Sequence, residues 1–116
     1  MEDYVLGAIE GRFADIIWNM EPITTAELTK ICERELGWKR TTTYTVLKKL
    51  SERKLFENRK GTVEALISRE EFYARQSERY VKNSFGGSLP SFLAAFTSRQ
   101  KLSDREIEQI KNMIEN

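Results

Sequence analysis

The residues with the clearest chemical potential lie between Lys39 and Thr62, where basic and hydroxyl side chains are concentrated. This stretch holds eight of the 19 lysines and arginines but only two of the 18 acids, a net charge of +6, and the rest of the chain sums to −5. Four of the five residues at 41–45 are threonines. A run of charge can be a solvated surface. Segregation this strong, with hydroxyls and turn residues inside the basic stretch, instead favours binding of a polyanion.

Catalytic chemistry has few side chains to use in this sequence. There is no histidine, which removes the commonest general base and the commonest metal ligand together. Cys32 is the only cysteine, so an intramolecular disulfide or a multi-thiolate metal site is excluded. Its position on the apolar face of a predicted helix indicates a small core residue. We therefore expect no enzyme activity, no cofactor and no bound metal.

Length and composition are typical of a small, helix-rich globular protein. With 116 residues, 40% of them hydrophobic and 32% charged, the chain fits one domain or a small domain with an appendage. No apolar run approaches the ~20 residues of a membrane span. The N-terminus also lacks the basic-then-apolar pattern of a signal peptide. We expect a cytoplasmic protein with no membrane segment.

Three helix starts are marked by the same device, a hydroxyl residue followed three positions later by glutamate and flanked by hydrophobic residues. The hydroxyl can accept a backbone N–H of the first turn, the glutamate can bond back to the cap, and the flanking pair can pack as a staple. The segments ITTAEL, ISREEF and LSDREI thus predict helices that begin near Thr25, Arg69 and Asp104. Apolar periodicity adds a first helix over about Ile9–Asn19 and extends the second to about Glu35.

The threonine-rich stretch predicts a third helix with two different faces. At about 100° per residue, the expected core face contains Thr43, Val46, Leu47 and Leu50. An alternative makes Thr43 an N-terminal cap. We expect Leu50 and Trp18 to be buried where the first and third helices meet. The outward face and its flanks contain Thr41, Thr42, Tyr44, Thr45, Lys48 and Lys49, whose hydroxyls and charges suit phosphates or base edges.

A basic hairpin is predicted directly after the third helix. An extended run from Leu55 leads to a turn at residues 59–61, where Gly61 can adopt the positive φ that a tight hairpin needs. A return strand then runs from Thr62 to Ile67 with alternating apolar residues. This order of elements is that of a winged helix-turn-helix, a mostly α fold with a small β-hairpin. The residues predicted to bind DNA are Arg40, Thr41, Thr42, Tyr44, Thr45, Lys48, Lys49, Arg59 and Lys60.

The C-terminal region, residues 68–116, is predicted to be a helical dimerisation region that follows a DNA-binding domain at residues 1–67. A helix that ends at Gly86-Gly87 is followed by a short helix capped by Ser88 and by a final helix. So short a region can hardly bury its many large apolar side chains alone. An intramolecular bundle is one alternative. We prefer a two-fold dimer, because two half-sites need two recognition helices. The predicted dimerisation residues are Phe72, Tyr80, Leu89, Phe92, Leu93, Phe96, Ile107, Ile110 and Ile114.

Segments along nearly the whole chain resemble the BlaI/MecI/CopY penicillinase-repressor family. They are IIWNMEPITTAEL, RTTTYTVLKKLSERKLFENRKG, SREEF, FGGSLPSFLAAF and KLSDREIEQIKNMI. The resemblance implies a dimeric repressor that binds a dyad-symmetric operator of TACA/TGTA type through a winged helix. It also implies a sensor metalloprotease as a partner, since several members are inactivated by a cut in the dimerisation region. The bond that aligns with that cut is Ala95-Phe96.

The sequence departs from the family pattern at a few positions. Gly11 replaces a better helix former, Thr62 follows the wing glycine where arginine is common, and Glu64 replaces an apolar or aromatic residue. Ala95 stands where the cleaved branch has asparagine, and the cysteine cluster of the copper-responsive branch is absent, which argues against metal sensing. The alternative function is a winged-helix module that binds protein without sequence-specific DNA binding. Phosphate contacts would distinguish DNA binding by its steep salt dependence.

Overall fold

The computed structural model describes residues 5–116, and within them it has six α-helices and a three-stranded sheet. The helices are α1 (Ala8–Met20), α2 (Thr25–Leu36), α3 (Arg40–Glu52), α4 (Arg69–Phe85), α5 (Leu89–Thr97) and α6 (Asp104–Glu115). The strands are β1 (Ile23–Thr24), β2 (Phe56–Arg59) and β3 (Thr62–Ala65). The chain divides within α4 into two compact units, Met1–Gln76 and Ser77–Asn116. The expected fold class, mostly helical with a small hairpin, is confirmed. The assignment of DNA binding and dimerisation to residues 1–67 and 68–116 stays a prediction.

The three helix starts marked by hydroxyl and glutamate are confirmed, because α2, α4 and α6 begin at Thr25, Arg69 and Asp104. In each, the cap hydroxyl accepts a backbone N–H of the first turn at 3.0–3.1 Å. Of the three, only Ser103 forms the reciprocal bond, in which its N–H donates to Glu106 Oε1 at 3.0 Å. The starts of α2 and α4 thus have the hydroxyl cap without the reciprocal bond from the glutamate to the cap N–H.

The sheet has β3 at its centre, with β2 and β1 antiparallel on either side. The hairpin turn consists of Lys60 and Gly61, with φ values of 52° and 87°. Positive φ at both central residues is the requirement of a type I′ turn, whose twist matches that of the strands it joins. The sequence did not predict β1. It has two residues, of which Ile23 pairs with Val63, and two residues carry no detectable alternation.

The core of the first unit lies between α1, α2, α3, the sheet and the first turns of α4. Leu47 and Leu50 point into it from α3, and Thr43 is buried beside them, so the predicted core face of that helix is confirmed. Cys32 is buried there too, as expected of a small core residue. Burial raises the pKa of its thiol. A hydrogen bond with the Thr43 side chain lowers the pKa, but burial has the larger effect. Thr43 is not the N-cap, since Lys39 occupies that position.

Two aromatic residues lie elsewhere than the sequence suggested. The Trp18 ring contacts Phe56, Phe72 and Tyr73 at centroid distances of 5.5–6.0 Å. Its Nε1 donates to the carbonyl of Ile67 at 3.0 Å. Trp18 therefore stabilises the contact of α1 with the hairpin and α4, and its predicted placement against α3 is corrected. Phe72 is 0% exposed. Its side chain belongs to the monomer core and is unavailable to a dimer interface.

The second unit consists of the end of α4 with α5 and α6. Gly86 and Gly87 end α4 with φ values of 59° and 83°, and the N–H of Gly87 donates to the carbonyl of Val81 at 3.1 Å. This is the predicted left-handed C-cap. Ser88 caps α5 by accepting the N–H of Ser91 at 3.1 Å. Neither α5 nor α6 contains a fully buried residue. No helix between residues 5 and 116 is long and apolar enough to cross a membrane.

Candidate nucleic-acid interface

The outward side of α3 presents hydroxyl and basic groups because Thr43, Leu47 and Leu50 hold the other side in the core. Tyr44 is half-buried at the edge of this surface. The exposed residues are Arg40, Thr41, Thr42, Thr45, Lys48 and Lys49. We call this surface the α3 face. It brings together all the α3 residues that were predicted to bind DNA, although their contacts differ.

The N-terminus of α3 is built differently from the starts of α2, α4, α5 and α6, which are all capped by a hydroxyl. Its N-cap is Lys39, which forms no side-chain cap bond, and its first turn contains no acid. Lys39 and Arg40 instead place two cations at the positive end of the helix dipole. Such charge–dipole interactions are worth about 0.3–1 kcal/mol each and are unfavourable here. This helix end is suited to an anion such as a phosphate group.

The Thr45 hydroxyl has a defined hydrogen bond within α3. It donates to the carbonyl of Thr41 at 2.9 Å, a common use of threonine in helices. Its proton is thus engaged, while its oxygen can still accept a hydrogen bond on this exposed residue. In this rotamer Thr45 can accept a hydrogen bond from an adenine or cytosine amino group. In this arrangement the Thr45 hydroxyl cannot also donate to DNA.

The two lysines of the α3 face differ in their partners. Lys49 Nζ lies 2.8 Å from Glu10 Oε2 of α1. The hydrogen bond from Lys49 is the main cause that lowers the pKa of Glu10, and the Gly7 N–H also contributes. Lys48, in contrast, is in no ion pair with any of the described residues. Lys48 is therefore the lysine whose charge is available to a ligand, whereas Lys49 connects α3 to α1.

The wing, residues 56–65, is basic only near its turn. Lys60 is exposed in the turn, and Arg59 precedes it at the end of β2. Arg59 Nη2 donates to Glu57 Oε2 at 3.0 Å. Glu57 also lies directly opposite Glu64 of β3, and like charges in that arrangement destabilise a strand pair. These two glutamates make the paired strands of the wing unsuited to binding phosphate. The turn is therefore the part of the wing suited to DNA.

Thr25 is a residue of this region that sequence reasoning identified only as a helix start. Hydrogen bonds from the Thr25 hydroxyl, and then from Arg40, lower the pKa of the Tyr44 phenol. The Arg40 guanidinium also lies over the Tyr44 ring, 5.5 Å from its centroid. The Thr25 N–H donates to the carbonyl of Gly61 in the wing turn at 2.9 Å. No local sequence signal reports such contacts between three separate elements.

Comparison with known proteins agrees with this geometry. Residues 6–116 match the penicillinase repressor family. The chain belongs to this family. A relative is the methicillin resistance regulatory protein MecI of Staphylococcus aureus strain Mu50, which is 19% identical over 115 residues, covering 96% of this chain and 94% of that protein. Penicillinase repressors are transcriptional repressors that bind DNA, a class that in general is not enzymatic.

The second unit of this penicillinase repressor exposes much of its apolar surface. Tyr80, Leu89 and Phe96 are 54%, 54% and 47% exposed, and Ile114 is 74% exposed. Ile107 is exposed as well, while Phe92, Leu93 and Ile110 are half-buried. The rings of Tyr80, Phe85 and Phe92 form a cluster with centroid distances of 5.6–6.2 Å. Apart from Phe72, the residues predicted for dimerisation therefore all have surface that a partner can cover.

The bond between Ala95 and Phe96 lies inside α5, whose last residue is Thr97. The Ala95 carbonyl accepts a hydrogen bond from the Ser98 hydroxyl at 2.7 Å. The Phe96 carbonyl accepts from the N–H of Gln100 at 3.0 Å. The penicillinase repressor thus holds this bond in hydrogen-bonded helical backbone within the last turn of α5.

Proposed function

We propose that this chain acts as a homodimeric repressor that binds a dyad-symmetric DNA operator, with the α3 face in the major groove and the wing turn against the sugar-phosphate backbone. The observation that carries the proposal is the α3 N-terminus. It combines two cations, exposed hydroxyls and uncapped backbone in a helix whose other side is fully committed to the core. In the free protein this arrangement is electrostatically unfavourable. A phosphate group would reverse the sign of that interaction.

The basic residues of the first unit are proposed to contribute unequally to DNA binding, according to whether they are in ion pairs. Lys48 and Lys60 are exposed and have no ion-pair partner among residues 5–116. They are suited to phosphate or base contacts. Lys49 and Arg59 are paired with glutamates, so their contribution to DNA affinity should be smaller. The proposed reading residues are therefore Thr41, Thr42, Thr45 and Lys48, with Arg40 and Lys60 as phosphate ligands.

The proposed dimer rests on the second unit. α5 and α6 bury no side chain completely, although their exposed residues include Leu89, Phe96 and Ile114. Burial of such side chains against a second copy would contribute roughly 25 cal/mol per Å² of apolar surface. A dimer also links two recognition helices. Once the first half-site is bound, the second contact becomes intramolecular and its effective concentration rises.

Proteolysis is the proposed route of release. A cut between Ala95 and Phe96 would separate α6 and Phe96 from the first unit and so remove much of the exposed apolar surface. Proteases commonly act on exposed, poorly ordered backbone. We therefore expect cleavage to require local unwinding of α5, which would break the hydrogen bonds accepted by Ala95 and Phe96. A sensor metalloprotease is the proposed partner for this step.

The experiment that tests DNA binding begins with selection of bound fragments from genomic DNA, followed by titration of the recovered operator. Lys48→Ala and Thr45→Ala should each weaken operator binding by about 1–3 kcal/mol per half-site if they read bases. Lys49→Ala is the matched control, because it removes a lysine of the same helix that is paired with Glu10. It should weaken binding less than Lys48→Ala.

Salt dependence separates this function from protein binding by the winged helix. Phosphate contacts release counterions, so the logarithm of operator affinity should fall linearly with the logarithm of salt concentration. Lys60→Ala should reduce that slope by about one per half-site. Recovery of no preferred DNA would contradict the proposal, and so would operator binding by the Lys48 and Thr45 variants equal to that of the unaltered chain.

A further inference from the structure

The Lys49 side chain belongs to the α3 face, but its charged group is held by α1. Its Nζ lies 2.8 Å from Glu10 Oε2, and the two side chains are 62% and 23% exposed. Lys48, the preceding residue, is exposed and forms no ion pair with the described residues. Two adjacent lysines of one helix thus differ in their availability to an anion, and a single carboxylate accounts for the difference.

The Glu10 carboxylate is fixed in place by α1 itself. Its Oε1 accepts the N–H of Gly7 at 3.2 Å. The residue also lies in the first turn of the helix, where the helix dipole favours a negative charge. Neither interaction depends on Lys49. Glu10 can therefore keep a stabilised charge after Lys49 has moved away, whereas the longer and more exposed lysine side chain can change its partner.

The contact of α1 with α3 has other supports than this ion pair. Phe13 of α1 lies in the same core as Leu47 and Leu50 of α3. Arg53, which follows the last residue of α3, donates from Nη2 to the carbonyl of Val5 at 2.8 Å. Loss of the ion pair should therefore leave the two helices in place and change only the availability of the lysine charge.

We propose that Glu10 lowers operator affinity by competing with DNA phosphate for Lys49, and so helps to determine which residues of the α3 face bind DNA. This inference rests on the proposed DNA-binding function. A phosphate oxygen offers Lys49 the same kind of charge-assisted contact that Glu10 gives it in the free chain. A phosphate contact by Lys49 therefore requires loss of the ion pair. Because exposed ion pairs are weak, the effect is a graded reduction of affinity and leaves binding possible.

The test titrates the selected operator fragment with the full chain and with Glu10→Gln, which removes the charge and keeps an oxygen that can accept the Gly7 N–H. Glu10→Gln should bind up to about fivefold more tightly per half-site, the range of an exposed ion pair. Its affinity should also fall more steeply with salt, by up to about one in slope per half-site, since Lys49 then acts as a further phosphate ligand.

Glu33→Gln is the matched control. Glu33 is an exposed residue of α2 and is in no ion pair with the described residues, so this change removes the same charge without releasing a lysine. It should bind the operator like the unaltered chain. Circular dichroism and thermal melting should show that both variants fold.

Dependence on Lys49 is the decisive measurement. Removal of an acid near DNA can strengthen binding simply by reducing repulsion, so Glu10→Gln is also compared in the Lys49→Ala background. The gain should be smaller there, because competition for Lys49 no longer exists. An equal gain in both backgrounds, or no gain with Lys49 present, would overturn the inference and leave the proposed function intact. If the unaltered chain binds no DNA, the proposed function fails and this inference fails with it.

A direct measurement on the unaltered chain does not depend on how Glu10→Gln folds. The NMR signal of the Glu10 carboxyl carbon in free Lys49→Ala marks the state without the ion pair. When the operator fragment is added to the unaltered chain, the Glu10 signal should move toward that position. A signal that stays where it is in the free chain would mean that the ion pair persists in the complex, which rules out competition.

Discussion

The two compact units of this chain differ in how they use their apolar residues. The first unit buries Phe13, Ile17, Leu28, Leu50 and Phe56 completely and turns hydroxyls and charges outward. In the second unit, α5 and α6 contain no fully buried residue. The sheet, α1, α2, α3 and the first turns of α4 enclose the core of the first unit, whereas α5 and α6 leave their apolar side chains at least partly exposed. The first unit therefore has its own core, as an independently folded domain does. The second unit instead exposes apolar side chains that are accessible to a partner.

This difference indicates where stability and function should separate. Mutations in the first core should act on folding, whereas mutations of exposed apolar residues in the second unit should act on assembly. Thr41 and Lys48, polar residues of the α3 face with no ion pair to another described residue, should affect neither.

The largest expected effect comes from the first core. Leu50→Ala should lower the free energy of unfolding by about 2–5 kcal/mol, because Leu50 is fully buried and truncation of its side chain creates a cavity. Urea denaturation of dilute protein measures this. Ile114→Ala is the matched change in the second unit, where the side chain is exposed, and should change the unfolding free energy far less while shifting the monomer–dimer equilibrium toward monomer. Thr41→Ala should change neither. Equal destabilisation by the Leu50 and Ile114 variants would mean that the second unit has a core of its own.

Truncation after Ala95 should have the next largest effect, on DNA rather than on folding. It removes Phe96 and α6, so the remaining chain should be monomeric in sedimentation and should bind the operator about 10²-fold more weakly than the full chain. The first unit should keep its melting temperature, since its core lies within residues 13–72. A truncated chain that remained dimeric and bound the operator tightly would place the dimer interface elsewhere.

A smaller effect is expected at the start of α6. Ser103→Ala removes the hydroxyl that accepts the Glu106 N–H and should destabilise this helix by about 1 kcal/mol. Because α6 has no buried residue, this local loss should appear as faster amide hydrogen exchange in α6 and as weaker dimerisation. Exchange in α1 should be unchanged. Ser88→Ala, which removes the hydroxyl that caps α5, should likewise speed amide hydrogen exchange in α5 and leave α1 unchanged.

The smallest effect concerns pH and lies in the first unit. Glu10 has a lowered pKa in the folded chain, chiefly because of its hydrogen bond with Lys49. Its contribution to stability is thus present above the ordinary glutamate pKa and is lost as pH falls through the lowered folded value. Thermal melts below about pH 4.5 should show a smaller pH dependence for Glu10→Gln than for the unaltered chain. Identical profiles would indicate that the ion pair with Lys49 contributes nothing to folding.

Local features were predictable from the sequence where the interacting groups are near in the chain. The hydroxyl caps act over three residues, and so the starts of α2, α4 and α6 were placed correctly. The positive φ of Gly61 and the double-glycine end of α4 follow from the absence of a Cβ. The core side of α3 follows from helical periodicity alone.

The candidate site was only partly predictable, because its chemistry depends on contacts over long separations. The ion pair of Lys49 with Glu10 joins two helices, and the hydrogen bond from the Thr25 N–H to the carbonyl of Gly61 joins α2 to the wing turn. Trp18 and Phe72 meet because the hairpin returns the chain to α1. None of these contacts can be inferred from the spacing of residues in the sequence or from its composition.

The starts of α2, α4 and α6, the hairpin turn, the apolar side of α3 and the concentration of positive charge could therefore be predicted from the residues alone. Each depends on backbone sterics or on side chains within one or two turns of each other. Packing of the elements against one another sets which lysine of the α3 face has no ion-pair partner, which aromatic residues belong to the monomer core, and that the Thr25 N–H binds the wing turn. These outcomes depend on how separate elements pack, and packing is set by the shape of the whole core.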